Sequence, residues 1–549
     1  MGCGAELGRA ATVAGGAGRV NPPVADPRAV TSPGRWGWRA LYLAAVAAFL
    51  LAFARFHDPG FGFTRLISVG DRVAPAAVPM LRATPHYVHE DSYGYDGTYY
   101  AQIALHPLLR EPALDLALDN PHYRARRVAV PWLAWLAGLG QPGWILQAYA
   151  VANAVCWLGF AWILLAWFPA DGWQNFLRWA GFLFSAGVCL SVRHALLDGP
   201  ALLLTALAVR AVECGWPRRG VAWLALAALT KETSVLSSAV LVAPWPRDWR
   251  GWAGLVVKGA WVVAPLGVWM LYVSARFGPV ADAGDGNFSW PLTGLVEKAR
   301  ELGGDLVANG VRAPEVLGLA ALLGTVVQFL FLALWWQPAM AWWRAAAPFA
   351  VLLMFVSQPV WEGFPGAYPR VLLPLALAFN VLVPRGGRWL PLLLAGNLAV
   401  PLGLTQLAAP HGEFFRVDTT AVRVVRGEGW YPAETGDGRT WRWTGAVGTL
   451  RVENPGDRPV ALRLRGEARG MGEGEMVLRV AGEERWRGPL GVKREPFATS
   501  SLQVPAAASV VWEFAATIPP RAPGKGDDRD LALALYDVVI EPVASGGRP

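Results

Sequence analysis

The stretch His86-Tyr87-Val88-His89-Glu90-Asp91-Ser92-Tyr93-Gly94-Tyr95-Asp96-Gly97-Thr98-Tyr99-Tyr100 packs three carboxylates among five tyrosines. It lies in a polar loop, 57–127, directly after the apolar run from Trp38 to Phe56. An ionised carboxylate is costly inside hydrocarbon, so an enzyme working at a membrane face holds its acid or base just outside. Asp91 and Asp96, ringed by tyrosines, are what transfer chemistry on a sugar or another polyol requires.

The rest of the chain agrees with that placement. Hydrophobic residues make up 54% of it and charged residues only 16%, which excludes an ordinary soluble protein and indicates a polytopic membrane protein. The net charge of +8 is modest for 549 residues. Its arginines sit in short loops beside apolar runs, as membrane orientation requires, so nucleic acid is not an expected partner. The cysteines avoid the large polar loops, and no disulfide framework or cysteine-held metal is expected. Most of the 29 tryptophans fit interfacial belts. Residues 1–35, rich in Gly, Ala, Pro and Arg without periodicity, read as a disordered cytoplasmic tail. They carry no cleavable signal, and Trp38–Phe56 serves as an uncleaved anchor.

Further apolar runs follow near 128–139, 144–168, 177–193, 199–214, 219–243, 252–276, 314–337, 343–360, 369–384 and 389–408. Two are odd as simple spans. The run 128–139 falls short of the roughly twenty residues that cross a bilayer, and 219–243 has Lys231-Glu232 at its midpoint, where charge is least tolerable. Arg35, Arg39, Arg218, Arg219, Arg247, Arg250, Arg344, Arg385 and Arg388 flank spans and belong on the cytoplasmic side. They can share it if 219–243 enters and returns as two half-helices with its tip at Thr230-Lys231-Glu232. With 128–139 as an outer half-helix, that gives nine full crossings; the alternative gives eleven. Either count puts the N-terminus inside and the C-terminus outside. The hairpin brings the 57–127 loop, Asp198, Lys231-Glu232, the 277–313 loop and Glu362 to Arg370 to one face.

After Pro410 the pattern changes. Segments such as Gly448–Val452, Val460–Leu464, Met476–Val480 and Val510–Phe514 alternate with the period of half-buried strands, and turns such as Asn454-Pro455-Gly456-Asp457 separate them. Residues 411–549 therefore read as an extracytoplasmic antiparallel β-sandwich of about eight strands. Its Trp430, Trp441 and Trp443 are either core residues or a platform for sugar rings, in which case the domain is a carbohydrate-binding module.

Asp96 precedes Gly97 and the helical pattern Thr98–Leu105, where an N-cap would sit. It either only caps that helix, or acts as a general base toward an acceptor hydroxyl. Tyr95-Asp96-Gly97-Thr98-Tyr99-Tyr100-Ala101 resembles the first-outer-loop motif of membrane glycosyltransferases of the GT-C superfamily, such as protein O-mannosyltransferases and aminoarabinose transferases. In that motif an Asp precedes a short helix of the form acid-x-x-Tyr-Tyr-Ala. Gly97 stands where many relatives have a second acid, which leaves Glu90 or Asp91 for that role. The resemblance extends over 37–408 through the alternating short spans and the break at Leu229-Thr230-Lys231-Glu232-Thr233. It implies a lipid-linked sugar donor, an acceptor on the outer face and inversion at the anomeric carbon. It also implies work without a metal.

An inverting transfer needs a carboxylate near the acceptor hydroxyl and cations at the departing lipid phosphate. Arg124, Arg126 and Arg127, in Asn120-Pro121-His122-Tyr123-Arg124-Ala125-Arg126-Arg127, either anchor headgroups or bind that phosphate through their forked guanidiniums. Arg370, which opens a span from the outer side against the positive-inside trend, is a second candidate. Arg193-His194 and Asp198 form either a structural ion pair or part of a polar cavity. Lys231 and Glu232 either neutralise each other, or contact phosphate and acceptor respectively. Tyr95, Tyr99, Tyr100, Asp198, Glu232 and His194 are the candidate acceptor and sugar contacts. Asp282-Ala283-Gly284-Asp285-Gly286-Asn287 resembles part of a calcium loop but lacks the downstream Glu.

The expected protein is thus a polytopic α-helical membrane protein of GT-C type with a C-terminal β-sandwich, in a bacterial cytoplasmic membrane. Its expected activity is transfer of a hexose from a polyprenyl-phosphate donor to a surface glycan, lipid or protein, with Asp96 as base. No cofactor is expected, and a divalent metal stays open. A flippase of lipid-linked saccharides or a non-catalytic polysaccharide-assembly protein are the alternatives. The first calls for inverted repeats, and the sequence has none.

Overall fold

A computed structural model describes residues 33–543, apart from 59, 90–91, 243–245, 247, 279–284, 409–413, 420, 437–438, 525–526 and 528. The chain divides into two units, Met1–Ala409 and Pro410–Pro549, close to the boundary where the composition changes. The first half of the calcium-like segment, Asp282–Gly284, falls outside the described residues, as do Glu90 and Asp91; its second half, Asp285–Asn287, is a 3-10 turn.

The first unit is helical. Pro33–Ala54 is an unbroken helix of 22 residues, about 33 Å long at 1.5 Å per residue, which is enough to cross hydrocarbon with every backbone group satisfied internally. Four helices among the described residues are long and apolar enough to span: Trp36–Ala54, Pro142–Ala166, Trp249–Phe277 and Ala313–Leu334. Two bent pairs, Trp173–Leu183 with Ala186–Arg193 (44°) and Gly387–Gly396 with Val400–Gln406 (46°), raise the number to six if each is one span. Counted by length and apolarity alone, these are fewer than the nine or eleven crossings expected; Ala341–Phe355 and Leu373–Leu382 are further apolar helices below that length. Proline is a main reason. Pro369, Pro374, Pro391 and Pro401 each open a new short helix, because the ring removes a backbone donor and cannot continue the turn before it. Only 11% of the apolar window in Trp249–Phe277 is covered; Trp261, Val268 and Leu271 stand out from it, a surface suited to lipid rather than water.

Neither unusual run forms a long unbroken helix. The run 128–139 yields one short helix, Ala129–Ala137. In 219–243, helix Pro217–Thr230 stops at Lys231, whose backbone is extended. The chain then continues as a 3-10 helix, Glu232–Leu241, rather than a second α-helix. The Val128 amide donates to the Leu229 carbonyl at 2.9 Å, so the short helix is tied to the break. Around these elements the core is aromatic: Trp157 stacks on Phe49 at 3.7 Å between centroids and meets Trp179 edge-on. Cys156 and Cys189 are free thiols. Cys214 is disulfide-bonded, against the expectation from its setting.

The second unit is a two-sheet sandwich, as expected, with more strands than the eight anticipated. One sheet orders Glu483–Leu490, Gly474–Val480, Ala508–Ala516, Val447–Asn454 and Arg423–Arg426. The other runs Glu495–Ala498, Val460–Gly470, Leu533–Pro542, Arg439–Thr444 and Glu434–Gly436, flanked by Leu502–Val504 and by Phe415–Val417, the latter parallel to Leu533–Pro542. The other strand pairs are antiparallel. Alternation places Leu450, Val452, Leu478, Trp512 and Phe514 against Leu462, Leu464, Leu535 and Ile540 in one core, the usual way two pleated sheets bury their inner faces.

Candidate functional site

Asp96 occupies the N-cap position of helix Gly97–Leu105, but its side chain makes no capping bond. The carboxylate turns to two guanidiniums instead: Oδ1 lies 3.0 Å from Arg124 Nη2, and Oδ2 lies 3.0 Å from Arg370 Nη2. Gly97 makes this possible. A Cβ there would sit 2.5 Å from the His194 carbonyl oxygen and 2.6 Å from that of Ile67, so the second acid of the family motif has no room.

Arg124, Arg126 and Arg127 come from a short helix, Pro121–Ala125, and the residues after it. Asn120 caps that helix by accepting from the Tyr123 amide at 2.9 Å, a sound use of Asn at that position. Arg124 holds Asp119 in a two-point grip, Nε to Oδ1 at 2.8 Å and Nη2 to Oδ2 at 2.7 Å. Arg127 grips Glu232 likewise, at 2.7 and 2.6 Å, and donates a third bond to the Tyr100 hydroxyl at 2.7 Å. Arg126 reaches the same Glu232 at 2.9 Å. The Tyr123 ring lies under Arg126 and Arg127, at 4.3 and 4.2 Å, with Arg124 at 5.4 Å. The face of one phenol thus helps hold three like charges together.

The other half of the cluster comes from far along the chain. Arg370, from the turn Tyr368–Val371, also reaches Asp198 at 3.3 Å, and Lys231 pairs with the other oxygen of Asp198. Tyr95 lies under Arg370 at 5.4 Å and stacks on His194 at 4.4 Å. Tyr99 lies under Arg124 at 4.6 Å. Among the described residues, five cations (Arg124, Arg126, Arg127, Arg370, Lys231) therefore meet four carboxylates (Asp96, Asp119, Asp198, Glu232), which leaves one positive charge over. Two guanidinium nitrogens, Arg126 Nε and Arg370 Nε, are buried without a partner among the described residues. The cluster has the composition of an oxyanion receptor. Burial alone would push the Asp96 pKa up, but Arg370, Arg124 and Arg127 outweigh it and hold the carboxyl down at about 2.

The geometry corrects several expectations. Lys231 and Glu232 do not neutralise each other: Lys231 goes to Asp198, and Glu232 to Arg126 and Arg127. Adjacent residues across an extended backbone point opposite ways, which a shared pair would forbid. Asp198 pairs with Lys231 and Arg370 rather than with Arg193 or His194. His194 bonds the Ser68 hydroxyl at 3.0 Å and joins the cluster only through Tyr95. Tyr100 is buried with its hydroxyl between Arg124 and Arg127, so it orders arginines rather than presenting a surface to sugar. Trp430 packs on Phe414 and Phe514 inside the sandwich, and Trp443 is 5% exposed; neither offers a free ring face. Trp441 is half-buried against Tyr536. Reading the sequence missed Asp119, one residue before the quoted Asn120 motif, and the role of Tyr123 within it. Asp119-Asn120-Pro121, an acid beside a capping residue and a helix-opening proline, was the available signal.

Openings among the described residues of this unit include a cleft and a cavity. A cleft of about 20 Å³, room for about one water, is lined by Asp198, Lys231 and Arg370 with Leu202, Phe349 and Pro374. A larger cavity of about 450 Å³ lies between Gly294–Glu301 and Gln358–Glu362, walled by Glu297, Glu301 and Glu362. No member of the ion cluster lines it, while the start of the 277–313 loop reaches the arginine-bearing turn, where His122 Nε2 lies 2.8 Å from the Gly278 carbonyl oxygen. No group of residues able to hold a metal ion occurs among the described residues.

No protein-family model matches the chain, and no curated protein does. Among solved structures, it is similar to ArnT from Cupriavidus metallidurans bound to undecaprenyl phosphate, at 17% identity and a TM-score of 0.40, covering 66% of this chain and 62% of that one. It is also similar to the arabinosyltransferase EmbB from Mycobacterium smegmatis, at 12% identity and a TM-score of 0.33, covering 94% of this chain and 66% of that one. The chain thus spans a little under two thirds of the length of ArnT, and a likeness this weak leaves the function to be read from the residues themselves.

Proposed function

We propose that this chain is a membrane glycosyltransferase that moves a hexose from a polyprenyl-phosphate donor to an extracytoplasmic glycan, lipid or protein, with inversion. The observation that carries this reading is Asp96: a carboxylate at the start of a loop helix, turned away from the cap and into a cluster of cations with one charge in excess. A sugar phosphodiester carries one negative charge, which that excess balances. Arg124, Arg126, Arg127, Arg370 and Lys231 receive the phosphate; Tyr95, Tyr99 and Glu232 border the space for sugar and acceptor. The resemblance of Tyr95–Ala101 to the GT-C loop motif points the same way.

In the step itself Asp96 takes the proton of the acceptor hydroxyl. The hydroxyl oxygen forms its bond to the anomeric carbon from the face opposite the phosphate. The bond from that carbon to the phosphate oxygen breaks, and the lipid phosphate leaves with the electron pair, its added charge met by the arginines. Arginines beside the apolar runs support an N-terminus in the cytoplasm of a bacterial cell and a sandwich outside. The test is transfer of labelled hexose from a polyprenyl-phosphate-hexose by the purified chain. Asp96→Asn, folded as judged by its thermal transition, should lose transfer by about 10²-fold or more; unchanged turnover would overturn the role.

A further inference from the structure

Each arginine that holds Asp96 has another carboxylate to fall back on. Arg124 spends its two-point grip on Asp119 and gives Asp96 only a share of Nη2. Arg370 divides its two terminal nitrogens between Asp96 and Asp198, while its Nε is buried with no partner among the described residues. Asp198 is in turn held by Lys231 and stays neutralised if Arg370 moves. Asp96 is therefore the member whose partners can be withdrawn without stranding another charge. The cleft beside Arg370, Asp198 and Lys231 has room for about one water, so a phosphate entering there reaches these nitrogens by parting an existing pair.

We infer that Asp96 is locked by Arg124 and Arg370 in the empty protein and is released when a donor phosphate takes those guanidiniums, so that one set of arginines serves as latch and as phosphate receptor. This rests on the reading of the cluster as a phosphate site. It resolves a conflict within that reading: a carboxylate held at about 2 is a weak base, whereas one stripped of its cations beside a new anion regains proton affinity. The charged and titratable groups facing Asp96 are Tyr95, Tyr99 and Tyr100 beside it in sequence, Arg124 and Arg127 after the capped turn, Arg370, Asp198 at the head of its helix, Tyr149, and His194. Of the cations among them, Arg127 keeps its grip on Glu232, which leaves Arg370 and Arg124 to move.

The coupling is reciprocal: if phosphate raises the proton affinity of Asp96, neutralising Asp96 tightens phosphate binding by the same factor. The experiment labels the full purified chain with a carbodiimide, which reacts with protonated carboxyls, near pH 5, about one unit above an ordinary Asp. Modification of Asp96 is read by peptide mass with and without a polyprenyl phosphate, and with polyprenol as the phosphate-free control. Labelling should rise at least about tenfold with the phosphate, one unit of proton affinity, and not with polyprenol. Arg370→Gln should show raised labelling without any lipid; Arg124→Gln serves if that variant does not fold. As a readout independent of reagent access, Asp96→Asn should bind the lipid phosphate about tenfold tighter than the native chain. If the lipid phosphate binds in preference to polyprenol yet labelling does not rise and Asp96→Asn binds no tighter, the latch is overturned and the phosphate site stands. If no preference for the phosphate exists, both fall.

Discussion

The ion cluster of the helical unit and the ion pairs of the sandwich use the same residues to opposite ends. In the sandwich, Arg416 meets Asp418, Arg487 meets Glu484 and Glu475, and Arg529 meets Asp527, mostly side by side on open strands. The Arg416 side chain is 66% exposed. Such pairs form in water, are screened, and contribute little to stability. In the helical unit the Asp198 carboxylate is 4% exposed, and three of the four acids are shared by two cations. Removing water from so many charges costs far more than a fold needs to spend for its own stability. The proposed phosphate site gives the buried set a use that the exposed pairs of the sandwich lack.

The comparison breaks first if the buried set proves cheap to disturb. Glu232→Gln leaves Arg126 and Arg127 without their acid, and unfolding in detergent should show a loss of about 3–5 kcal/mol; a loss below about 1 kcal/mol would mean that water already solvates the cluster. Gly97→Ala forces a Cβ against two carbonyl oxygens and should cost about 1–3 kcal/mol, with transfer lost alongside as Asp96 is displaced. Tyr123→Leu removes the ring beneath the arginines and should cost about 0.5–2 kcal/mol. It should raise the donor KM with little change in kcat, while Tyr123→Phe keeps both near native; equal effects of the two would assign the role to the hydroxyl. At the small end, Asp418→Asn in the full chain should leave the thermal transition where it is. A clear shift there would erase the contrast between the two units.

Much of this contrast was legible in the sequence, and the limits of that reading are physical. The change at Pro410, the short helix Ala129–Ala137, the stop at Lys231 and the place of Asp96 ahead of a helix all follow from local pattern, which charge, proline and periodicity control. The pairing of acids with bases does not. Arg370 and Asp96 are far apart in sequence, and nothing local tells Lys231 to choose Asp198 over its neighbour Glu232. The strand count fell short because strands such as Leu502–Val504 and Phe415–Val417 are too short to show alternation. The tryptophans misled for a related reason: an alternating segment says that one face is buried, and only the register says which. Gly97 looked like a departure from a motif until the carbonyls around it explained why no side chain fits.

Lipid binding decides whether the cluster receives a phosphate. Tritiated polyprenyl phosphate and polyprenol of equal length are titrated against the purified native chain and against Arg370→Gln. The account predicts that the phosphate form binds the native chain at least about tenfold more tightly than the alcohol, a difference of about 1.4 kcal/mol, and that most of this preference is lost in Arg370→Gln. Equal affinity for the two lipids, or a preference untouched by the loss of Arg370, would contradict it.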